Sequence, residues 1–113
     1  SGNVGSLVKM DTYFSDKFRS LLTAMKSIDD GDGKSALYNS SVMLGMECWG
    51  ADGHSLKNIP FVLAGQGSGR FKTGRIVNAQ GRSNNDLLIS IQQASGINSN
   101  TFGMASLCRG PIV

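Results

Sequence analysis

Residues 40–65 read SSVMLGMECWGADGHSLKNIPFVLAG, and two short apolar runs in this stretch enclose a polar loop. The runs cover residues 42–46 and 61–65. Short runs without polar positions are typical of strands that are covered on both faces, as in a parallel sheet. We therefore predict two buried parallel strands, with the loop at the carboxyl end of the first one.

The loop between the two runs carries the side chains best suited to chemistry. It contains Glu47, Cys48, Trp49, Asp52 and the only histidine of the chain, His54. Ligand-binding and catalytic side chains in parallel sheets collect on loops that leave the carboxyl ends of strands. The loop is thus the predicted place of a site. The residue types alone also fit a surface histidine, a carboxylate paired with an arginine, and a tryptophan packed on the sheet.

Length and composition predict one domain with an ordinary core. The chain has 113 residues, of which 40% are hydrophobic and 17% charged, enough for one domain and too few for two. Its longest apolar runs are about five residues, so we expect no membrane span. The net charge of +3 is spread along the chain and aromatic residues make up 7%, a pattern that argues against a nucleic-acid-binding protein.

Apolar residues recur at steps of three and four before the central stretch and predict a long amphipathic helix. They are Leu7, Met10, Phe14, Phe18, Leu21, Met25 and Ile28. Residues 1–6 resemble a tag scar or linker, with Ser6 as the helix cap, which leaves residues 7–113 as a single α/β domain. The DDGDG sequence at residues 29–33 ends the helix as a polar turn, since the downstream glutamate of a calcium-binding EF-hand loop is missing.

Residues 65–75, GQGSGRFKTGR, follow the second apolar run. We predict a glycine-rich hairpin that returns through residues 71–77. The three cations Arg70, Lys72 and Arg75 also make this segment a candidate anion-binding group, because glycine amides and positive charges both stabilise an anion. The two interpretations are compatible with each other.

A second helix is predicted from the S-x-x-D pattern of Ser83 and Asp86, which resembles a capping box. Gly96 is placed to end this helix in the left-handed conformation, and residues 101–113 are expected to cross the core as an irregular strap. The predicted fold is a small, mostly parallel sheet with two flanking helices and the glycine-rich hairpin. Because two helices cannot cover both faces of such a sheet, the chain is expected to belong to a larger α/β fold.

The cysteines Cys48 and Cys108 are far apart in the sequence and lack the C-x-x-C spacing of metal or redox motifs. One disulfide and two buried free thiols are both compatible with this pattern. The compartment of the protein is not determined by it.

Several sequence motifs occur in the order found in one bacterial family. They are the loop from Glu47 to His54, NIPFVLAG at residues 58–65, KTGR at 72–75, GRSNNDLL at 81–88, TFG at 101–103 and CRGPIV at 108–113. In this combination they resemble the carboxyl-terminal portion of the bacterial domain-of-unknown-function family fifteen-fifty-two. That family is distantly similar to the alkaline phosphatase and sulfatase superfamily, and its members are longer, typically exported proteins.

The resemblance implies a divalent metal ion bound by Glu47 and His54, since a carboxylate and an imidazole are both good ligands. Arg70, Lys72 and Arg75 would then balance the charge of a phosphate or sulfate ester. The nucleophile and the other metal ligands of the superfamily would lie outside this chain, so the chain alone is expected to be inactive. Cys48 and Trp49 follow Glu47 where the superfamily pattern has a histidine.

Two functions therefore follow from the resemblance. The chain is the carboxyl-terminal part of a metal-dependent, hydrolase-like protein, or it is an exported binding or assembly domain that kept the fold without the chemistry. The expected partners are the remainder of a parent chain and, through an exposed sheet face, a second copy. Export to the periplasm or the cell exterior is implied by the family only.

Overall fold

The computed structural model of the protein describes residues 4–47 and 54–113. In chain order its elements are α1 (Val4–Ser27), β1 (Val42–Gly45), β2 (Phe61–Ala64) and α2 (Asn85–Ala94), followed by a short 3₁₀ helix at Ala105–Leu107. The two predicted helices and the two predicted strands are therefore present. The loop residues Cys48, Trp49 and Asp52 lie outside the described residues.

Helix α1 is longer and more exposed than the sequence indicated. It begins at Val4, so it includes residues 4–6, which the sequence analysis set apart as a linker. Every residue from Val4 to Lys17 is exposed, and only Phe18, Leu22 and Met25 are half-buried. The apolar face predicted from the spacing is therefore uncovered over the first half of the helix. In the described part of the chain no helix is both long and apolar enough to cross a membrane.

Strands β1 and β2 pair antiparallel, with Val42 opposite Ala64 and Gly45 opposite Phe61. The predicted mostly parallel sheet was wrong. A parallel pair needs a crossover connection, usually a helix, whereas the described ends of the connection, residues 46–47 and 54–60, contain no helix. Apolar residues on both faces of a strand indicate that both faces need cover, but they do not determine the direction of the strand.

The predicted glycine-rich hairpin was also wrong. Residues 67–70 form a turn, but residues 72–77 form no strand. The backbone N–H groups of Gln66 and Ser68 instead donate to the carbonyl oxygen of Tyr38, at 3.3 and 3.0 Å. The segment after β2 is thus held against the segment before β1, which leaves no partner strand for residues 72–77.

Gly65 makes this close approach possible. Its φ angle is +86°, and a Cβ atom at this position would lie 2.1 Å from the carbonyl oxygen of Ser40. A side chain is excluded both by the left-handed backbone and by the neighbouring carbonyl group. Phe71 lies six residues after Gly65. It folds back beside Gly67 and is one of the few buried apolar side chains in the described residues.

Helix α2 carries the other buried apolar side chain of the described core, that of Ile89, which is fully buried. Its carboxyl end confirms the predicted role of Gly96, which has a φ angle of +88°. The N–H of Gly96 donates to the carbonyl of Gln93, and that of Ile97 donates to the carbonyl of Gln92, both at 3.0 Å. These two bonds form a Schellman motif, which satisfies the last carbonyl groups of the helix.

Candidate functional site

Glu47 and His54, the predicted metal ligands, are both exposed. Glu47 lies two residues after the end of β1, and His54 precedes the segment that leads into β2. Residues 4–47 and 54–113 contain no group of three or more His, Cys, Asp or Glu side chains that could hold a metal ion. Because a catalytic zinc has three protein ligands, Glu47 and His54 do not complete a metal site with the other described residues.

The predicted anion-binding cations Arg70, Lys72 and Arg75 follow the opposite end of the sheet. The antiparallel register places the end of β2 beside the start of β1, whereas Glu47 follows the end of β1. The two ends are separated by the length of β1, about 10 Å at 3.3 Å per residue. The sheet therefore does not bring the predicted metal ligands and the predicted balancing cations together.

A buried carboxylate at the start of α2 organises a site that the sequence analysis missed. Asp86 is fully buried. Its Oδ2 atom accepts a hydrogen bond from Nε of Arg82 at 2.7 Å, and its Oδ1 atom accepts one from the backbone N–H of Arg109, also at 2.7 Å. The carboxylate thus holds an arginine four residues earlier and a backbone group near the carboxyl terminus.

Further hydrogen bonds attach residues 109–113 to α2 and to Arg82, which precedes it. Nη2 of Arg82 donates to the carbonyl oxygens of Gly110 and Pro111, at 2.7 and 3.3 Å. The buried hydroxyl of Ser90 accepts from the N–H groups of Ile112 and Val113, at 2.8 and 3.1 Å. We refer to Arg82, Asp86, Ser90 and the backbone of residues 109–113 as the Asp86 clamp.

The protonation of Asp86 depends on two opposing influences. Burial raises the pKa of this carboxyl, whereas the hydrogen bonds from the Arg109 backbone and the Arg82 guanidinium, together with the charge of Arg82, lower it. The lowering influences prevail, and the pKa of Asp86 lies below its ordinary value. Asp86 is therefore an anion at neutral pH, and its charge is paired with that of Arg82.

The clamp explains why the predicted capping box does not form. The amino cap of α2 is Asn84, and its side chain makes no capping hydrogen bond. Ser83 accepts a hydrogen bond from the N–H of Asn85 at 3.2 Å, while the Asp86 carboxylate is occupied by Arg82 and Arg109. The useful signal in the sequence was the spacing of Arg82 and Asp86, which places opposite charges on neighbouring turns.

Cys108 and Asn85 both hold Phe102, in the preceding part of the strap. Its Sγ atom accepts a hydrogen bond from the N–H of Phe102 at 3.4 Å and lies 3.3 Å from the carbonyl oxygen of the same residue. The amide of Asn85 donates to the carbonyl oxygen of Phe102 at 2.9 Å. The predicted irregular strap is thus fixed to the first turn of α2 by a polar bond.

An open cleft of about 510 Å³ lies beside the clamp. Residues 56–58, residues 81–83 and residues 106, 107 and 109 line it. His54 lies two residues before the first of these segments, so its Cα atom is within about 7 Å of the Cα atom of Leu56. Of the predicted site residues, His54 is the nearest in sequence to a segment that lines this cleft.

The acidic turn after α1 is a polar turn, as predicted. Nδ2 of Asn39 donates to one carboxylate oxygen of Asp30 and one of Asp32, each at 2.9 Å. The bond from Asn39, with a further bond from the Lys34 backbone, lowers the pKa of Asp32. The carboxylates thus serve to close the turn.

The comparisons with known proteins leave the resemblance as a prediction. No family model, no curated protein and no solved structure matches the chain.

Proposed function

We propose that the chain is a structural part of a larger α/β protein, and that the exposed apolar face of α1 packs on the remainder of that protein. The observation that carries this proposal is the exposure of α1 from Val4 to Lys17. In this segment Leu7 and Phe14 are more than half exposed, at 57% and 56%. A stretch of about 14 residues forms only a marginal helix in water without tertiary packing, so this part of α1 needs a covering surface.

The two-stranded sheet also supports packing of this chain on a larger α/β body. Met43 and Leu63 share one face and Leu44 and Val62 share the other, yet none of the four is buried. An isolated pair of strands is marginally stable and needs additional strands or a helix. A twofold dimer buries one self-complementary patch, whereas α1 and both faces of the sheet need cover. A larger α/β body can supply that cover.

The accessible surface is consistent with this shortage of packing. It amounts to 8262 Å² for a chain of 12.0 kDa, whereas an independent domain of this mass exposes about 6,000 Å². The radius of gyration is 16.0 Å, compared with about 13 Å for a compact domain of this length. The excess surface, about 2,300 Å², is of the size buried in a large interface.

The test is hydrogen exchange of α1 in two settings, the 113-residue chain and a longer polypeptide that contains it. We expect the amides of residues 4–17 to exchange rapidly in the chain alone and at least about 100-fold more slowly in the longer polypeptide. The amides of α2 serve as an internal control and should differ little. Equal exchange of residues 4–17 in both settings would overturn the proposal, as would protection of α1 in a dimer of the chain alone.

A second candidate function is hydrolysis of a phosphate or sulfate ester in the larger protein. One observation favours it: His54 lies two residues before a segment that lines a cleft with cationic residues. Under this proposal Glu47 and His54 supply two ligands of a divalent metal ion, and the remainder of the protein supplies the others. The metal would polarise the ester oxygen, while this chain would help to bind the anionic group.

A further inference from the structure

The cleft beside the Asp86 clamp is lined by cationic and neutral residues. Three cationic residues line it, Lys57, Arg82 and Arg109, and no acidic residue does. Two of them, Lys57 and Arg109, are exposed. The only ion pair among residues 4–47 and 54–113 joins Arg82 to Asp86, so the charges of Lys57 and Arg109 are not neutralised by a carboxylate of the described chain.

The clamp fixes one of these cations in place. The backbone N–H of Arg109 is bonded to the buried carboxylate of Asp86, which anchors the residue at the rim of the cleft while its side chain remains exposed. The charge of Asp86 is already balanced by Arg82 at 2.7 Å. An anion that enters the cleft therefore meets a net positive charge.

Neutral donors lie along the same cleft. Ser83, Ser106 and Asn58 also line it, and their side chains carry hydroxyl or amide groups. The Ser83 hydroxyl lies 3.4 Å from Oδ1 of Asn84 and would turn from this acceptor to reach an anion. Helix α2 begins at Asn85, directly after the lining segment, so the positive end of its dipole lies close by. Hydroxyl and amide donors beside two cations are the groups that bind tetrahedral oxyanions.

We propose that this cleft is a binding site for a phosphate or sulfate group, held by Lys57 and Arg109 with Ser83 and Ser106 as additional donors. A volume of about 510 Å³ exceeds that of an inorganic anion and falls in the range of small-molecule sites, so the site has room for the organic part of an ester. The proposal does not depend on the docking of α1, because every lining residue belongs to this chain.

The experiment is a titration of the isotope-labelled 113-residue chain followed by NMR of its amides, at constant ionic strength. The probes are inorganic phosphate, inorganic sulfate and glycerol 2-phosphate. We expect saturable shifts at Ser83, Ser106 and Arg109 with all three. Tighter binding of glycerol 2-phosphate than of phosphate would assign the site to esters, and equal or weaker binding would assign it to the free anion.

The variant is Lys57→Gln with Arg109→Gln, which removes two charges but keeps the backbone bond from residue 109 to Asp86. We expect phosphate affinity to fall about tenfold, while the melting temperature without phosphate stays within about 2 °C of the original. The matched control is Lys9→Gln with Lys26→Gln, which removes the same charge from exposed positions on α1. The control should bind as the original chain does.

Three results would overturn the proposal. One is the absence of saturable shifts with every probe. The second is equal loss of affinity in the control variant, which would indicate a general charge effect. The third is unchanged affinity after the replacement of Lys57 and Arg109.

Discussion

The backbone N–H of Arg109 donates to the buried carboxylate of Asp86 across 2.7 Å, and this bond joins residues that are 23 positions apart in the sequence. Arg82 closes the arrangement from the other side, through Asp86 and through the carbonyl oxygen of Gly110. Two segments that are far apart in the sequence, residues 82–86 and residues 109–110, therefore meet at this carboxylate. The charged carboxylate thus connects the strap to the amino end of α2.

Replacement of Asp86 by Asn should destabilise the protein strongly at neutral pH. The amide carries no charge to pair with Arg82, and its nitrogen cannot accept the bonds that the carboxylate accepts. We expect the free energy of unfolding to fall by about 3 kcal/mol, measured by urea denaturation. Asp11→Asn is the matched control, because Asp11 is an exposed carboxylate on α1. Equal stability of the two variants would contradict the role of Asp86.

The stability difference between the original chain and Asp86→Asn should depend on pH. The pKa of Asp86 is lower in the folded protein than its ordinary value of 3.8, so the folded state binds fewer protons than the unfolded state. The charged carboxylate therefore stabilises the fold above this value, and the contribution is lost as the pH falls through the lower, folded pKa. Urea denaturation should give the same difference in unfolding free energy between the two proteins at about pH 7 and about pH 5. The difference should be smaller at about pH 3. A difference that grows on acidification would contradict this.

Ser90→Ala tests the attachment of the carboxyl-terminal residues. The change removes the hydroxyl that accepts from the N–H groups of Ile112 and Val113. We expect a loss of about 2 kcal/mol in urea denaturation, together with faster hydrogen exchange of these two amides. Ser95→Ala is the control, because Ser95 is exposed and its hydroxyl bonds only within its own helix. The control should change the stability by less than about 0.5 kcal/mol.

Gly65→Ala should disrupt the junction between β2 and the segment before β1. Its added Cβ atom would lie 2.1 Å from the carbonyl oxygen of Ser40, so the backbone must move. We expect a loss of at least about 3 kcal/mol. Gly74→Ala is the control: its φ is also positive, at +74°, but nothing lies within 4 Å of the added atom. It should cost about 1 kcal/mol, and equal losses would show that steric contact is unimportant.

The metal hypothesis predicts a rise of the melting temperature with a divalent ion, since binding to the folded state stabilises it by mass action. The measurement is thermal unfolding of the 113-residue chain with Zn²⁺, Mn²⁺, Mg²⁺ and Ca²⁺. We expect the rise to disappear in His54→Ala and to shrink in Glu47→Gln. Asp16→Asn, which changes an exposed carboxylate on α1, should leave it intact. An unchanged rise in both of the first two variants would exclude Glu47 and His54 as ligands.

Local signals in the sequence predicted local structure well. The spacing from Leu7 to Ile28 predicted α1, the two apolar runs predicted β1 and β2, and Gly96 predicted the end of α2. Each of these signals acts through neighbours within a few residues, where helical period, backbone conformation and side-chain type are coupled directly. The predicted strand direction and the predicted capping box were wrong, because both features depend on residues far apart in the sequence.

The direction of β2 and the role of Asp86 both depend on distant partners. Two apolar strands bury similar surfaces whether they run parallel or antiparallel, so their composition could not distinguish the two arrangements. Asp86 stands three residues after Ser83 as a capping residue would, but the guanidinium of Arg82 and the backbone of Arg109 compete for its carboxylate. A carboxylate that accepts from a guanidinium and from a backbone N–H makes stronger, charge-assisted bonds than a single cap. Its second partner, Arg109, is 23 residues away in the sequence.

The antiparallel pairing of β1 and β2 also has a consequence for divergence of this sequence. A connection that leaves one strand and returns to its direct neighbour does not have to span the sheet, so its length is not set by the fold. Doubling the length of such a loop costs only about 0.6 kcal/mol in closure entropy. The segment that carries Glu47 and His54 can therefore gain or lose residues in related chains while the register from Val42 to Gly45 is preserved.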